Sequence, residues 1–357
     1  MRALLFTLFL TSYLLGYGQP NDLSMRMSLL DYSNEEIPAN LLSSRTAIIL
    51  RSSDEYSRAQ WRTVSQEFHE YFLQMGIDPT FYVHEQDMYA NPVIRQSYMR
   101  LFDVRDLGNL VILERNAGRY VMSITSNFDQ QGFFRNTKAW RETDSTTDAL
   151  LFKLGLIVKQ SDMSTSNFLI LTAPEFIEDI NFFKGSRLPN YAGILRRQKL
   201  GVARFDSLRI DPKLSDEKRR VLQDYNRQVA TYNKQLEEIF SNYPFEWEMF
   251  SFKDNDYALA SGIQHVFQLV QTTGSGAKDF LNYPDHTKET HIISVTPSPL
   301  PGDVRLKRLP VETVVFKPYV YQVRADDVYV GREWDADITW QDAVRNFFFT
   351  LQRQFEE

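Results

Sequence analysis

The segment Ala47-Ile48-Ile49-Leu50 is an unbroken apolar run with polar residues on both sides, and its length is that of a buried β-strand. Apolar residues then recur at three- and four-residue steps between residues 61 and 75, which predicts an amphipathic helix. Phe81-Tyr82-Val83 predicts the next strand, residues 93–102 a second helix, and Leu110-Val111-Ile112-Leu113 a third strand. This alternation favours a parallel sheet with helices packed against its faces.

The rest of the chain also carries alternating strand and helix patterns. Asn116-Ala117-Gly118 has the composition of a tight turn, so the following strand is predicted to return antiparallel to the third strand. We therefore predict an α/β fold with mixed, mostly parallel sheets and flanking helices. The chain length favours two parts, which we place as an N-terminal α/β domain over residues 44–135 and a second α/β domain over residues 136–357.

The longest helical pattern lies in the second domain, over residues 215–241. Its apolar residues form a single stripe, and charged residues occupy the other faces. Ser215 is suited to cap its first turn, and Pro244 follows its end. A stripe this apolar is not expected to face water. We therefore predict a long inserted helix that projects or bridges toward a partner.

Two further helices are predicted after this one. Residues 256–270 have the length and composition of a helix, and the chain closes with a strongly amphipathic segment. The apolar residues of that last segment are Trp340, Val344, Phe347, Phe348, Leu351 and Phe355. We expect their stripe to close the core of the second domain.

The first residues have the layout of a secretory signal peptide. Arg2 precedes an apolar run, and Gly16-Tyr17-Gly18 places small residues at the −3 and −1 positions of a cut before Gln19. We predict a signal peptide over residues 1–18 and a polar leader over residues 19–43, and hence export to the periplasm or cell envelope. The apolar run is shorter than the ~20 residues that span a bilayer, so no transmembrane segment is expected after cleavage.

Composition excludes several classes of protein. The chain has no cysteine, which rules out a disulfide-stapled domain and thiol catalysis. Its 26 Phe, 18 Tyr and 5 Trp supply apolar area for ordinary cores instead. The net charge of −6 gives no reason to expect nucleic acid as a partner.

Three alternating carboxylates form the candidate metal site. Glu333, Asp335 and Asp337 would project from one side of an extended chain and could hold a divalent cation through oxygen. The same segment has a structural explanation, because Asp337 or Thr339 can cap the final helix and Asp342 completes a capping box with Thr339. No other cofactor is predicted.

Two other segments carry groups that could do chemistry. His84 follows a predicted strand at the sheet edge where α/β proteins bind ligands, which makes it a candidate general base. Thr273-Gly274-Ser275-Gly276-Ala277-Lys278 resembles a phosphate-binding loop. That segment lacks the Gly-Lys-Ser/Thr ending, and it follows a predicted helix instead of a strand, so we expect an ordinary loop there.

A resemblance to a known group of proteins rests on three segments. Gly18-Gln19 at the cut, Asn242-Tyr243-Pro244-Phe245-Glu246, and residues 328–341 with Gly331-Arg332-Glu333-Trp334-Asp335 resemble an exported, uncharacterised family of Bacteroidota. Members of that family are sometimes labelled NTPases. The resemblance implies neither an established activity nor any catalytic residue.

Two functions are consistent with these observations. The first is an exported envelope protein that binds or scaffolds a protein partner, because the sequence carries abundant core-forming pattern and no assembled catalytic motif. The alternative is a metal-assisted hydrolase of a phosphorylated or nucleotide substrate, in which Glu333, Asp335 and Asp337 hold the ion and His84 is the base.

Overall fold

The computed structural model describes residues 22–356, except 52–55, 130–131, 167–170, 178–179, 181, 192, 285–287 and 301–302. The predicted signal peptide over residues 1–18 lies outside the described residues. The chain divides into two compact units. The N-terminal unit is Arg26–Phe182, and the C-terminal unit is Phe183–Glu357 together with the segment that ends at Met25.

The N-terminal unit alternates strands and helices, and a short helix, α1 (Asp22–Met27), precedes its first strand. Its elements are β1 (Asp31–Ser33), β2 (Arg45–Arg51), α2 (Arg58–Met75), β3 (Asp78–His84), α3 (Glu85–Met88), α4 (Pro92–Val104), β4 (Leu107–Asn116), β5 (Arg119–Ser126), β6 (Lys138–Asp144) and α5 (Thr147–Gln160). Helix α2 begins at a capping box between Ser57 and Gln60 and ends at Gly76, whose φ of 80° is a conformation that glycine favours.

The strands of this unit form one six-stranded sheet in the order β1-β6-β5-β4-β2-β3. Strand β2 pairs in parallel with both β3 and β4, as the β-α-β-α-β pattern predicts. Strands β4 and β5 are antiparallel and joined by Ala117 and Gly118, which both have the positive φ of a tight hairpin turn. Strand β6 pairs with β5 and β1, so the predicted domain boundary after residue 135 lies inside this unit.

The C-terminal unit is richer in strands than its sequence pattern suggests. Its elements are β7 (Arg187–Leu188), β8 (Leu200–Ala203), α6 (Asp216–Phe240), β9 (Trp247–Phe250), α7 (Asn255–Ala260), β10 (His265–Thr273), α8 (Gly274–Phe280), β11 (His291–Pro297), β12 (Val304–Pro310), β13 (Val314–Gln322), β14 (Asp327–Tyr329) and α9 (Trp340–Glu356). The helix predicted over residues 256–270 is wrong beyond Ala260. Residues 265–273 are a strand because they pair with β13 along their whole length and with β8 on the other side.

Each unit, taken by itself, has the same sheet topology. The six-stranded sheet of the C-terminal unit has the order β7-β14-β13-β10-β8-β9, so β7, β8, β9, β10, β13 and β14 correspond in turn to β1–β6. Parallel and antiparallel pairings also match at every position. The C-terminal unit differs by an insertion of α8, β11 and β12 between its fourth and fifth strands, and β11 and β12 form a separate two-stranded sheet. The predicted α/β class with mixed sheets and flanking helices is confirmed.

The long helix predicted over residues 215–241 is α6, and it packs on the core of its own unit. Tyr225, Val229, Leu236 and Phe240 are buried in the same cluster as Phe347 of α9. The prediction that this helix projects toward a partner is therefore wrong. Helix α6 joins the parallel neighbours β8 and β9, and a parallel pair requires a crossover connection of this kind.

Each unit has its own apolar core. In the N-terminal unit, Trp61 and Phe68 of α2 pack with Trp140 of β6. In the C-terminal unit, Trp340 and Phe348 belong to the main cluster, which confirms the predicted role of the final helix. Among the helices in the described parts of the chain, none combines the length and apolarity needed to cross a membrane.

Candidate functional site

The carboxyl ends of the parallel strands form the first candidate site, in the N-terminal unit. Strand β2 lies between β3 and β4, so the connections that follow β2 and β3 run to opposite sides of it. Open α/β sheets bind ligands at such a switch point. Arg51 ends β2 and lies beside Glu114 of β4, while His84 ends β3 and leads into α3.

Ion pairs fill this edge of the sheet. The Arg51 guanidinium donates from Nε to Glu85 Oε2 at 2.8 Å and from Nη1 to Glu114 Oε2. Arg58 at the start of α2 donates to both carboxylate oxygens of Asp87, at 2.9 Å for the Nη1–Oδ2 bond. Two-point contacts of this kind fix geometry as well as charge. The edge therefore has a defined, largely neutralised arrangement of cations and anions.

His84 lies beside these pairs and is almost fully buried, with 1% of its surface exposed. Its ring stacks on Phe176, and within the described chain neither ring nitrogen has a hydrogen-bond partner. Burial, together with the nearby Arg58 and Arg62 guanidinium groups, lowers the pKa of His84 to about 3. A general base works best with a pKa near the operating pH. This environment therefore suits a neutral imidazole that binds a ligand more than it suits an imidazole that accepts a proton.

The C-terminal unit shows which of these residues the topology itself requires. Ala203 ends β8 and Phe250 ends β9, the strands that correspond to β2 and β3. The same sheet is thus built without charge at these two positions. Arg51 and His84 are therefore not needed to form this topology.

The three predicted metal ligands lie in the C-terminal unit, and each contacts a different cation. Glu333 is 3.4 Å from Arg353 Nη2, Asp337 pairs with Lys307, and Asp335 pairs with a lysine of β13. Among the described residues, no group of three histidine, aspartate or glutamate side chains is arranged to hold a metal ion. The structure therefore does not bring the three carboxylates together.

The alternative explanation of this segment, helix capping, agrees with the structure. The Thr339 hydroxyl accepts a hydrogen bond from the Asp342 amide at 3.1 Å and donates to Asp342 Oδ2 at 2.8 Å. Asp337 accepts from the amide of Ile338 instead of capping the helix. Thr339 is thus the capping residue of α9.

Asp335 is at the centre of a buried polar network. Its Oδ1 accepts from Lys317 Nζ at 2.6 Å, and its Oδ2 accepts from the hydroxyls of Tyr191 at 2.9 Å and Thr350 at 3.3 Å. The other two Lys317 donors bind the carbonyls of Pro318 and Val330, each at 2.8 Å. Burial raises the pKa of the Asp335 carboxyl, and Lys317 opposes that shift. Because every donor and acceptor is paired, the network is a structural centre of the C-terminal unit.

The segment that resembles a phosphate-binding loop consists of Thr273, which ends β10, and the first five residues of α8, so most of the loop expected there is a helix. The sequence-based expectation that it follows a helix is wrong, because β10 is a strand. Its amides are nevertheless occupied: Gly274 donates to the Thr313 carbonyl, Ser275 to the Val311 carbonyl, and Gly276 to the Thr273 hydroxyl, at 3.0 to 3.1 Å. Amides bound within the protein cannot cradle a phosphate.

The β11-β12 hairpin of the C-terminal unit has one exposed apolar face. Ile292 and Leu309 lie on its buried face, in a small cluster with Val315. On the opposite face Ile293 is 55% exposed and Leu306 is 65% exposed. Both are large apolar side chains exposed to water. They lie on a hairpin that is not part of the sheet topology shared by the two units.

Comparison with known family models and with curated protein sequences finds no match to this chain. The resemblance to an exported Bacteroidota family therefore stays a prediction. Sequence reasoning selected His84 but missed Arg51, Lys317 and the exposed face of β12. Lys317 had a detectable signal, because it is a single charge inside the apolar run of residues 314–321.

Proposed function

We propose that the protein is an exported protein of the cell envelope that binds a protein partner, with the β11-β12 hairpin as its binding element. The observation that carries the proposal is the exposed face of this hairpin, which bears Ile293 and Leu306. The N-terminal unit completes the same sheet topology without such a hairpin. Full burial of each side chain against a partner would contribute about 1.5–3 kcal/mol.

The metal-assisted hydrolase has less support. Glu333, Asp335 and Asp337 each contact a separate cation, and burial holds the pKa of His84 far below the range of a base that works near neutral pH. Export rests on the predicted signal peptide over residues 1–18. Amino-terminal sequencing of protein recovered from the envelope should give a chain that begins at Gln19, and a chain that retains Met1 would contradict export by cleavage.

Photo-crosslinking in intact cells tests the binding role. A photoreactive amino acid at Leu306 should give a discrete cross-linked protein, because this side chain lies on the exposed hairpin face. The matched control places the same group at Val104, which is 82% exposed on helix α4 of the N-terminal unit. The product should disappear when Ile293→Ser is added. Equal products from both positions, or none from Leu306, would contradict the proposal.

A further inference from the structure

The backbone of β12 has a free edge, and the pairing with β11 identifies its residues. The Val295 amide donates to the Trp334 carbonyl at 2.7 Å, so it points away from β12. In antiparallel pairs, hydrogen-bonded and non-hydrogen-bonded positions alternate. Val295 is opposite Leu306, so the N–H and C=O of Leu306 point outward, and those of Val304 and Arg308 do the same.

This edge is accessible and uncovered within the described chain. Val304, Leu306 and Arg308 are all exposed, and no backbone hydrogen bond joins them to a segment other than β11 among the described residues. The edge strand β3 shows the contrast, because the Tyr82 amide donates to the Glu175 carbonyl at 2.7 Å and the Tyr82 carbonyl accepts from Ile177 at 2.9 Å. There the chain pairs the edge with its own extended segment.

The side chains of β12 are cationic as well as apolar. Arg305, Lys307 and Arg308 are interspersed with Val304, Leu306 and Leu309 along the strand. Lys307 pairs with Asp337, whereas Arg305 has no carboxylate partner among the described residues and Arg308 contacts only a ring nitrogen of His291. Arg308 lies on the same face of the hairpin as the exposed Leu306, and Arg305 lies on the opposite face, so each face of this edge carries an exposed guanidinium group.

The charges argue against a second copy of this chain at the edge. Two-fold pairing of β12 must be antiparallel, and it must join outward-facing residues. Centred on Leu306, it places Arg305 opposite Lys307 of the second copy. Centred on Arg305, it places the two copies of Arg305 opposite each other. Centred on Lys307, it does the same for the two copies of Lys307. Like charges directly opposite one another are destabilising, so each of these three registers is penalised.

We propose that β12 binds an extended, acidic segment of a protein partner by strand addition. The partner's backbone pairs with the outward groups of Val304, Leu306 and Arg308, its carboxylates lie near Arg305 and Arg308, and an apolar residue covers Leu306. This inference rests on the proposed function and specifies its binding mode. Partner strands of the opposite charge are favoured for the same reason that self-pairing is penalised.

Synthetic peptides of sequence Thr-Glu-Glu-Val-Glu-Val-Thr, capped at both ends and labelled, test the mode on the full chain by fluorescence anisotropy. We expect saturable binding that weakens with salt, and at least about tenfold weaker binding when lysine replaces each glutamate. N-methylation of the alternate peptide amides that face β12 should abolish binding. N-methylation of the amides that face away from β12 should not. Equal effects of the two sets would overturn strand addition.

The double variant Arg305→Glu/Arg308→Glu tests the charge preference from the side of the protein. It leaves the Lys307–Asp337 pair in place. It should prefer the lysine peptide to the glutamate peptide while its melting temperature stays that of the parent. Unchanged preference would overturn the acidic partner. Dimerisation of the parent through β12 in sedimentation velocity, or binding of this strand to anionic phospholipid vesicles in place of the peptide, would also overturn it. Cross-linking from Leu306 without any peptide binding would refute strand addition and leave the proposed binding function standing.

Discussion

Replacing Lys317 by methionine tests the buried network of the C-terminal unit. Methionine fills a similar volume but removes the ammonium that contacts Asp335 Oδ1 at 2.6 Å. Asp335 would then keep only the hydroxyl donors of Tyr191 and Thr350. Both members of the ion pair have 0% side-chain exposure, so water cannot replace the lost cation.

The expected loss is large because a charge is left buried and unpaired. Removing one partner of a buried ion pair costs about 3–5 kcal/mol, against a total stability of about 5–15 kcal/mol for a typical domain. The double variant Lys317→Met/Asp335→Leu removes both charges and should recover much of that loss. Recovery should stop short of the parent, because the Tyr191 hydroxyl loses its acceptor, at a cost of about 1–3 kcal/mol.

Urea denaturation at several pH values measures these differences. Lys317 lowers the pKa of Asp335 while burial raises it, so the folded-state pKa rises further in the Lys317→Met variant. A carboxyl whose folded pKa lies above its unfolded pKa stabilises the fold at low pH and loses that contribution as pH rises. The penalty should therefore shrink as pH falls. Lys234→Met, at a side chain 78% exposed, is the control and should change stability little. A loss below about 1 kcal/mol at pH 7, or a double variant no more stable than Lys317→Met, would refute the reasoning.

Three further predictions use the same folding assays. Phe348→Ala should cost about 3–5 kcal/mol, because its ring packs 5.0 Å from that of Phe240 in the main cluster, and an unchanged melting temperature would contradict this. His84→Phe keeps a ring against Phe176 and removes two unpaired nitrogens, so stability should rise by about 1–3 kcal/mol, whereas a lower melting temperature would indicate a hydrogen bond to His84. With a folded pKa of about 3, His84 stays neutral in the folded state, whereas the same histidine takes up a proton in the unfolded chain below pH ~6.5. The parent should therefore lose stability as pH falls below ~6.5, and the His84→Phe variant should lose less. Glu333→Ala should change the melting temperature little, with or without a chelator, and a chelator-dependent shift of the parent would restore the metal hypothesis.

The elements predicted well from sequence are those whose pattern has a single physical explanation. β2 is apolar on both faces because sheet neighbours and helices surround it, and its run of four apolar residues is short enough to exclude a helix. The sequence of β10 does not distinguish a strand from a helix, because its apolar and polar residues, from His265 to Thr273, fit either period. Pairing with β13 and β8 decides in favour of a strand, and such pairing joins residues far apart in sequence.

The domain boundary and the candidate sites depend on the same long-range information. β6 (Lys138–Asp144) is mostly polar, so nothing in its own sequence assigns it to the sheet that it completes. The spacing of Glu333, Asp335 and Asp337 groups them into one site, but each pairs with a different lysine or arginine from another element. His84 is predicted to lie just past the end of a strand, and the register of β3 on β2 makes it the last residue of that strand.

The shared strand order has a practical consequence at the turn between β4 and β5. The N-terminal unit crosses this point with only Ala117 and Gly118, whereas the C-terminal unit places residues 274–313 at the corresponding point without changing its strand order. The connection between the fourth and fifth strands is thus a natural grafting position. A foreign loop or reporter peptide inserted between Ala117 and Gly118 would exploit a tolerance that this chain already demonstrates in its other half.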